Sequence, residues 1–537
     1  MPRRGRSHPA ALAGGALEPT GPLLALLLLV CGVVLLRTAW LCDDAFITFR
    51  TIDNWSRGYG LTWNVPDRVQ VYTHPLWMLV VLVAHAVTRE FVFTVQLLSV
   101  GLSLLSVGLL VRSAPSRRGA AVAVVALLVS RAFVDYSTSG LENPLTHVLL
   151  ALFFTRCLDE RPRPRRLLEL SALAGLCVLN RMDLLLLVLP ALAHEARALG
   201  DRRQAARSLA LGFAPFAAWE AFALFYYGSP LPNTSYSKLG AGVPLGELLE
   251  QGAYYFVRTL DRDPVTLLVL AAGAAVPWAI RSERRAWPAS VGVGLYLLYV
   301  LRIGGDFMAG RFFAAPLFVG ALLLARVPSA LLGDQWWIPC ALLALLGGAA
   351  SHPTLTSDSS YGAGPEEIGK GITDERGFYY PGTGLLTAHR GAPMPTHRFA
   401  DEGRAAARTG EQAPTYAVGM IGFYAGPRVR VVDQIGLTDP LLARLPFARM
   451  NLPAFDRGWR IGHPVRALPE GYVDTVRSQE NRIVDPNLRE YYRHLVTVLR
   501  GDLLSAHRLA EIWRLNTGRY DPLLRAYVAA RAGAAGR

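Results

Sequence analysis

Residues 21–50 read Gly21-Pro-Leu-Leu-Ala-Leu-Leu-Leu-Leu-Val-Cys-Gly-Val-Val-Leu-Leu-Arg-Thr-Ala-Trp-Leu-Cys-Asp-Asp-Ala-Phe-Ile-Thr-Phe-Arg50. From Pro22 to Leu41 the run is apolar and long enough to cross a hydrocarbon core of roughly 30 Å at about 1.5 Å per residue. The basic stretch Met1-Pro-Arg-Arg-Gly-Arg6 precedes it and predicts a cytoplasmic N-terminus. The run leaves through Arg37-Thr-Ala-Trp-Leu-Cys42, which offers neither an A-x-A cleavage site nor a lipoprotein cysteine, so it reads as an uncleaved first span. At its exit stand two adjacent carboxylates, Asp43 and Asp44. One aspartate suits a helix N-cap, but a cap does not need two, and unpaired charge at a membrane exit is costly. At least one of the pair is expected to have a chemical role.

The composition agrees with a multispanning membrane protein. Of 537 residues 52% are hydrophobic and 18% charged, with mean hydropathy +0.28, which excludes a disordered chain and argues against an ordinary soluble enzyme. The formal charge of +14 comes almost wholly from arginine, the only lysines being Lys238 and Lys370. These arginines sit in short clusters between apolar runs, as topology signals do, so the pI near 9.8 does not imply nucleic acid as a partner. Five cysteines without CxxC or CxxH spacing suggest neither zinc nor a disulfide framework.

Further apolar stretches lie at 75–88, 91–111, 119–134, 144–157, 167–180, 184–197, 207–227, 264–280, 287–301, 311–326 and 336–350. Counting all of them as spans puts the arginine clusters 112–118, 156–166, 197–207 and 281–285 outside the cell, against the positive-inside rule. If the stretch His74 to Thr88, with Pro75 and His85, lies in the interface or re-enters, every cluster returns to the cytoplasm. Eleven transmembrane helices are therefore expected. The outside segments become 42–90, 135–143, 181–183, 228–262 and 302–310, followed by the tail Ser351–Arg537. The tail has 24 basic and 19 acidic residues and reads as a soluble α+β domain. Tyr416 to Ile421 and Val429 to Val432 are expected as strands, Ser505 to Leu515 and Pro522 to Ala532 as helices. The division is 1–350, a transmembrane module, and 351–537, an extracytoplasmic domain.

The outside segments hold the unusual polar residues. After the aspartate pair, Phe46, Phe49, Ile52 and Trp55 recur at i+3 with Arg50 between them, an amphipathic helix on the membrane surface. His74 could bind phosphate or shuttle a proton, or simply start a helix beside a proline. Glu142 could be chemistry or helix-dipole complement, and Arg181 with Asp183 an ion pair between spans. Asn233 and Lys238 share a proline-rich loop, and Asp306 and Arg311 flank a glycine turn where a span begins. Arg311 suits bidentate phosphate recognition and equally suits snorkelling. Carboxylates and cations from distant loops thus meet on one membrane face. Transfer between a lipid-phosphate donor and a polar acceptor needs those parts: a base, cations for the phosphate and apolar walls for the chain.

The phrases Asp43-Asp-Ala-Phe-Ile-Thr-Phe-Arg50, Tyr72-Thr-His-Pro-Leu-Trp77, Ser139-Gly-Leu-Glu142, Ser229-Pro-Leu-Pro-Asn-Thr234, Gly304-Gly-Asp-Phe-Met308, Val432-Asp-Gln-Ile-Gly-Leu-Thr-Asp-Pro440 and Arg460-Ile-Gly-His463 carry a resemblance. In them the sequence resembles the polyprenyl-phosphate-dependent glycosyltransferases of the multispanning C-type (GT-C) fold. It most resembles the branch of actinobacterial terminal β-(1→2)-arabinofuranosyltransferases that build cell-wall arabinan. The resemblance implies that Asp43 or Asp44 is the general base of an inverting transfer to a cell-envelope glycan. It also implies a plasma (inner) membrane location and a tail that helps hold the acceptor. The expected assignment is Asp43, Asp44 and Glu142 for catalysis and Arg311, Lys238, His74 and Arg50 for the donor phosphate. Asp306, Asn233, Trp459 and His463 are expected for acceptor or sugar. No cofactor is called for, although Asp43, Asp44 and Glu142 could hold a divalent metal. The Ala-Phe-Ile-Thr-Phe that follows the aspartates is closer to a wider group of bacterial relatives, one named for control of flagellar motors. An accessory protein of the same fold is therefore the alternative. A transporter ranks last, because charges concentrate in loops on one face and no internal repeat is visible.

Overall fold

The computed structural model describes residues 19–161, 165–239, 242–361, 367–449 and 458–535; the basic stretch Arg3 to Arg6 lies outside them. The apolar runs fold as helices: α1 (Gly21–Thr38), α2 (Asp43–Ser56), α3 (Pro75–Thr88), α4 (Val92–Ser113), α5 (Arg117–Val129), α6 (Arg131–Tyr136), α7 (Asn143–Leu158), α8 (Arg166–Asn180) and α9 (Leu185–Ala198). There follow α10 (Arg202–Gly212), α11 (Ala214–Tyr226), α12 (Asn233–Leu239), α13 (Leu245–Arg262), α14 (Pro264–Ala279), α15 (Trp287–Arg302), α16 (Ala314–Leu324), α17 (Ser329–Leu332) and α18 (Trp337–Gly348). Their starts are written in the sequence. Ser116, Asp201 and Asp263 cap α5, α10 and α14 through their side-chain oxygens, and prolines open α3, α7, α11, α14 and α15. Among the described residues α1 and α4 are each long and apolar enough to cross a membrane, and three bent pairs qualify if each is one span, α10–α11 bending by 52°.

The helix ends sort into two faces. On one, Arg285 meets Glu160 at 2.6 Å, Arg166 meets Glu195 at 3.4 Å, Arg326 meets Glu283 at 2.5 Å and Arg118 meets Asp334 at 3.1 Å, tying the arginine clusters together. On the other lie α2, α12, α13 and the tail. Both ends of α3 belong to this second face: His74 starts it beside Thr48 of α2, and Phe91, just past its end, stacks on Phe49 of α2 at 4.9 Å.

The tail is mostly helical: α19 (Glu375–Thr383), α20 (Arg398–Thr409), α21 (Gly419–Ala425), α22 (Tyr472–Ser478), α23 (Pro486–Arg500), α24 (Ala506–Asn516) and α25 (Asp521–Ala535). Among the described residues its only strands are β1 (Glu367–Gly369) and β2 (Ile372–Thr373), an antiparallel pair. The expected α+β tail is corrected on this point. Gly419 to Ile421 begins a helix, and Thr415 and Asp433 make only an isolated bridge. Short apolar runs do not separate strand from buried helix, and here packing on α2 decided for helix. The expected helices near 505 and 522 are α24 and α25.

One continuous hydrophobic cluster runs from Cys31 to Tyr527, so the tail shares the core of the membrane helices. Buried guanidiniums fasten the two. Arg50 donates to the carbonyls of Trp63 and Val429 at 2.8 Å, Arg376 to Thr38 at 3.3 Å and Arg508 to Phe225 at 2.8 Å. A buried charge needs such bonds, and an arginine fork supplies several at once. Part of the arginine excess is therefore loop carpentry rather than topology.

Candidate active site

Helix α2 carries the aspartate pair, and its packing divides their roles. Asp43 turns toward the tail, where its carboxylate accepts the backbone N–H groups of Gly419 at 2.8 Å and Met420 at 2.7 Å. Burial pushes this carboxyl up to about 7, against the two amides that favour its charge. Asp44 is the one residue from Leu41 to Arg50 that is only partly buried, and it lines a cavity of about 570 Å³. It makes no hydrogen bond or ion pair with the described residues. The cavity opens between α2, α12, α13, the starts of α9 and α16, and the tail segment 459–464.

Opposite the aspartates, Glu142 gathers Arg181, Arg311 and His74 from distant parts of the chain. Its Oε1 receives Arg181 at 2.8 Å and Arg311 at 3.5 Å, and its Oε2 lies 3.2 Å from His74 Nδ1, off the line of a hydrogen bond. Burial alone would raise this carboxyl, but Arg311, His74 and Arg181 hold it well below the usual carboxylate range. Arg181 also grips Asp183 through two nitrogens at 2.8 Å, and the phenol of Tyr296 donates to Asp183 at 3.0 Å. His74 Nε2 faces Thr48 Oγ1 at 2.9 Å.

Lys238, on α12, completes the polar wall. Its ammonium lies 5.4 Å from the Phe307 ring and has no ion-pair partner among the described residues. Burial pulls it below the usual lysine value, against the attraction of Asp306 and Asp44. Asp306 reaches the cavity because Gly304 and Gly305 adopt φ of +87° and +73°, a turn that L side chains resist, and a Cβ on Gly305 would sit 2.5 Å from the Tyr255 ring. Its Oδ2 lies 3.6 Å from Arg311 and accepts no hydrogen bond.

Of the residues singled out in sequence, Asp44, His74, Lys238, Asp306, Arg311 and Trp459 line this cavity, with Glu142 directly behind it. Four others sit elsewhere, Asp43 among them on the tail amides. Arg50 is fully buried over Trp63 and spends its fork on carbonyls. Asn233 donates to the carbonyls of Gly436, Leu437 and Asp439 at 2.9 to 3.1 Å, pinning the tail loop that presents Leu437 to the cavity. His463 packs edge-on against Phe307 at 4.2 Å while its neighbours Arg460 to Gly462 and Pro464 form the wall. Trp459 donates to Glu247 of α13 at 2.7 Å. Tyr379, Tyr380 and Tyr472 are core residues. Sequence reasoning missed Arg181, Arg302 and Arg460 as cavity cations; Arg181 beside Asp183 and the phrase Arg460-Ile-Gly-His463 were the legible signals, and Arg302 had none. Among the described residues no three histidine, cysteine, aspartate or glutamate side chains converge to hold a metal ion, since Asp43 faces the tail amides and Glu142 faces cations.

Residues 75–226 match the dolichyl-phosphate-mannose-protein mannosyltransferase family. The chain is 30% identical over 534 residues to a terminal β-(1→2)-arabinofuranosyltransferase of Mycobacterium tuberculosis (strain ATCC 25618 / H37Rv), covering 81% of this chain and 82% of that one. A protein of the same description from Corynebacterium glutamicum is 25% identical over 643 residues, covering 96% and 88%. The crystal structure of ArnT from Cupriavidus metallidurans bound to undecaprenyl phosphate aligns over 90% of this chain and 91% of that one at 15% identity, with a TM-score of 0.44. The family model and the relatives place the chain among the membrane glycosyltransferases of the multispanning C-type class. The chain belongs to the terminal β-(1→2)-arabinofuranosyltransferase family, which sets the accessory-protein and transporter alternatives aside.

Proposed function

We propose that the protein transfers an arabinofuranosyl residue from a polyprenyl monophosphate to a hydroxyl of a cell-envelope glycan at the outer face of the plasma membrane. The sugar and linkage are those in the names of the two curated relatives. The observation that carries the reading is a pair of unpaired opposite charges, Asp44 and Lys238, on one cavity backed by Arg311 and Arg181. In this reading Asp44 takes the proton of the acceptor hydroxyl as its oxygen bonds to the anomeric carbon. The bond from that carbon to the phosphate oxygen breaks, its electron pair stays on the phosphate, and Lys238 and Arg311 stabilise the released polyprenyl phosphate. This single displacement inverts the anomeric centre. Glu142 holds the arginines and His74 in place, Asp306 and the tail residues Trp459 and Arg460 border the acceptor, and the apolar side chains of α12, α13 and α15 receive the lipid.

Eleven spans with a cytoplasmic N-terminus and an extracytoplasmic tail fit this reading. They are supported by the ion pairs that join the arginine clusters on one face and by the return of α3 to the face it left. The tail 351–537 then acts as the acceptor-side wall of the cavity. The test is transfer by the purified protein from polyprenyl-phosphoryl arabinofuranose and polyprenyl-phosphoryl mannose to short arabinan acceptors, with the product anomer assigned by NMR. Arabinose transfer with inversion is expected. Transfer from mannose alone would refute the sugar, and a retained anomer would refute Asp44 as a simple base.

A further inference from the structure

Helix α24 has a buried side and an exposed side that differ in purpose. Its buried Arg508 donates to the carbonyls of Phe225 at 2.8 Å and Tyr226 at 2.9 Å, the last turn of α11. Asn516 donates to the carbonyl of Gly228 at 2.8 Å. The tail helix is thereby fixed to the end of a membrane helix, and its height relative to the bilayer follows from that of α11. Away from this contact it presents Leu504 (80% exposed), Leu509 (43%) and Trp513 (72%). Leu509 and Trp513 share a face at i,i+4, and Leu504 lies in the turn just before the helix. The adjoining turn of α11 exposes Leu224 and Phe225, so the apolar surface continues from the membrane helix onto the tail.

Such a cluster on a helix held at a membrane-helix end has a natural occupant. Tryptophan with one apolar and one polar edge concentrates at the headgroup level, and exposed leucines beside it gain by entering the acyl boundary. The surrounding charge agrees: from Gly501 to Ala535 the exposed charges are four arginines, Arg514, Arg519, Arg525 and Arg531, against Asp502 and Asp521, which suits anionic headgroups. We propose that Leu504, Leu509 and Trp513 enter the bilayer surface and dock the tail on lipid. The tail segment that walls the cavity is then held at a set depth beside the membrane. The inference rests on α11 crossing the membrane and not on the identity of the transferred sugar.

The full-length protein is reconstituted in nanodiscs of phosphatidylcholine and phosphatidylglycerol after Cys157→Ser and Cys340→Ser remove the half-buried thiols. A nitroxide is attached through Trp513→Cys and, separately, through Leu504→Cys, with Arg482→Cys, an exposed tail position paired with Glu480, as the water-facing reference. Collisions with oxygen relative to those with a water-soluble nickel chelate should be several-fold higher at 513 and 504 than at 482. Equal ratios at all three positions would overturn the proposal by placing α24 in water. Spin–spin broadening between labels at 513 on different molecules would overturn it in favour of a second copy of the chain. Transferase activity of the labelled proteins, measured alongside, separates failure of this docking from failure of the catalytic assignment.

Discussion

Replacing Asp43 with alanine removes the carboxylate that ties the first residue of α2 to the start of the tail helix α21. Two backbone N–H groups, of Gly419 and Met420, lose their acceptor at a site where Asp43 is itself 7% exposed. An unsatisfied buried donor costs about 1–3 kcal/mol, so the pair costs roughly 2–6 kcal/mol. Against this stands the relief of the burial that pushes Asp43 up to about 7 from 3.8. That relief is about 4 kcal/mol at neutral pH and about 2 kcal/mol at pH 5, so at pH 5 a net local loss of about 2 kcal/mol is expected, roughly 30-fold in an opening equilibrium. Hydrogen–deuterium exchange of the full-length protein at pH 5 reads this directly: peptides covering 413–433 should exchange roughly 30-fold faster in Asp43→Ala, with peptides of α4 and α7 unchanged. Gly419→Ala should act in the same direction, because a Cβ there would run into the main-chain oxygen of Asp43. Unchanged exchange around Gly419 in a folded Asp43→Ala protein would refute the division of labour between the two aspartates.

Glu142→Gln leaves Arg311, Arg181 and His74 facing one another without their shared carboxylate, and breaking a buried ion network costs about 3–5 kcal/mol, so thermal unfolding in detergent should move down by several degrees. Lys238→Met should raise the KM for the lipid donor about tenfold or more while Lys238→Arg recovers part of it, a charge-assisted bond being worth about 1.5–3 kcal/mol; an unchanged KM in Lys238→Met would remove the lysine from the donor site. Burial pushes Asp43 and Asp439 to about 7 and Glu375 to about 8, so the folded chain holds protons there that the unfolded chain has released. The stability from these groups is complete below about pH 4 and is lost as pH rises through 7–8. Between pH 7 and 8.5, where the histidines of the unfolded chain have largely released their protons and the lowered His397 and His463 add little opposing change, the melting temperature should fall, and Asp43→Asn should fall less steeply. A steeper fall in Asp43→Asn would contradict the assignment.

Much of this fold can be read in the chain before any coordinates. The exit of α1 on an aspartate pair, the helix that follows it and the shortness of the 75–88 stretch are all local facts. The arginine clusters add the one non-local constraint, and it is the constraint the ion pairs of Arg285, Arg166 and Arg326 reproduce. The tail was less legible. Tyr416 to Ile421 has a strand composition, but packing on α2 favours the helix, and Gly422 lets it approach Trp63 so closely that a side chain there would clash. At the site, residue types named the right loops and not the right roles. Arg50 resembles a phosphate ligand in sequence and serves the carbonyls of Trp63 and Val429 in space. Choosing between Asp43 and Asp44 needs the rotation of α2, which is set by tail amides some 376 residues away along the chain. Glu142 as a hub needs four segments, at 74, 142, 181 and 311, to converge, and no local pattern announces that.

The central claim is that Asp44 is the group that takes the acceptor proton while Asp43 holds the tail. The most direct test is the turnover of Asp44→Asn, an isosteric change at a residue with no partner to lose, with polyprenyl-phosphoryl arabinofuranose and a short arabinan acceptor. The predicted result is a kcat lowered by about 10²–10⁴-fold with donor binding and melting temperature unchanged. Wild-type turnover in Asp44→Asn would contradict the account.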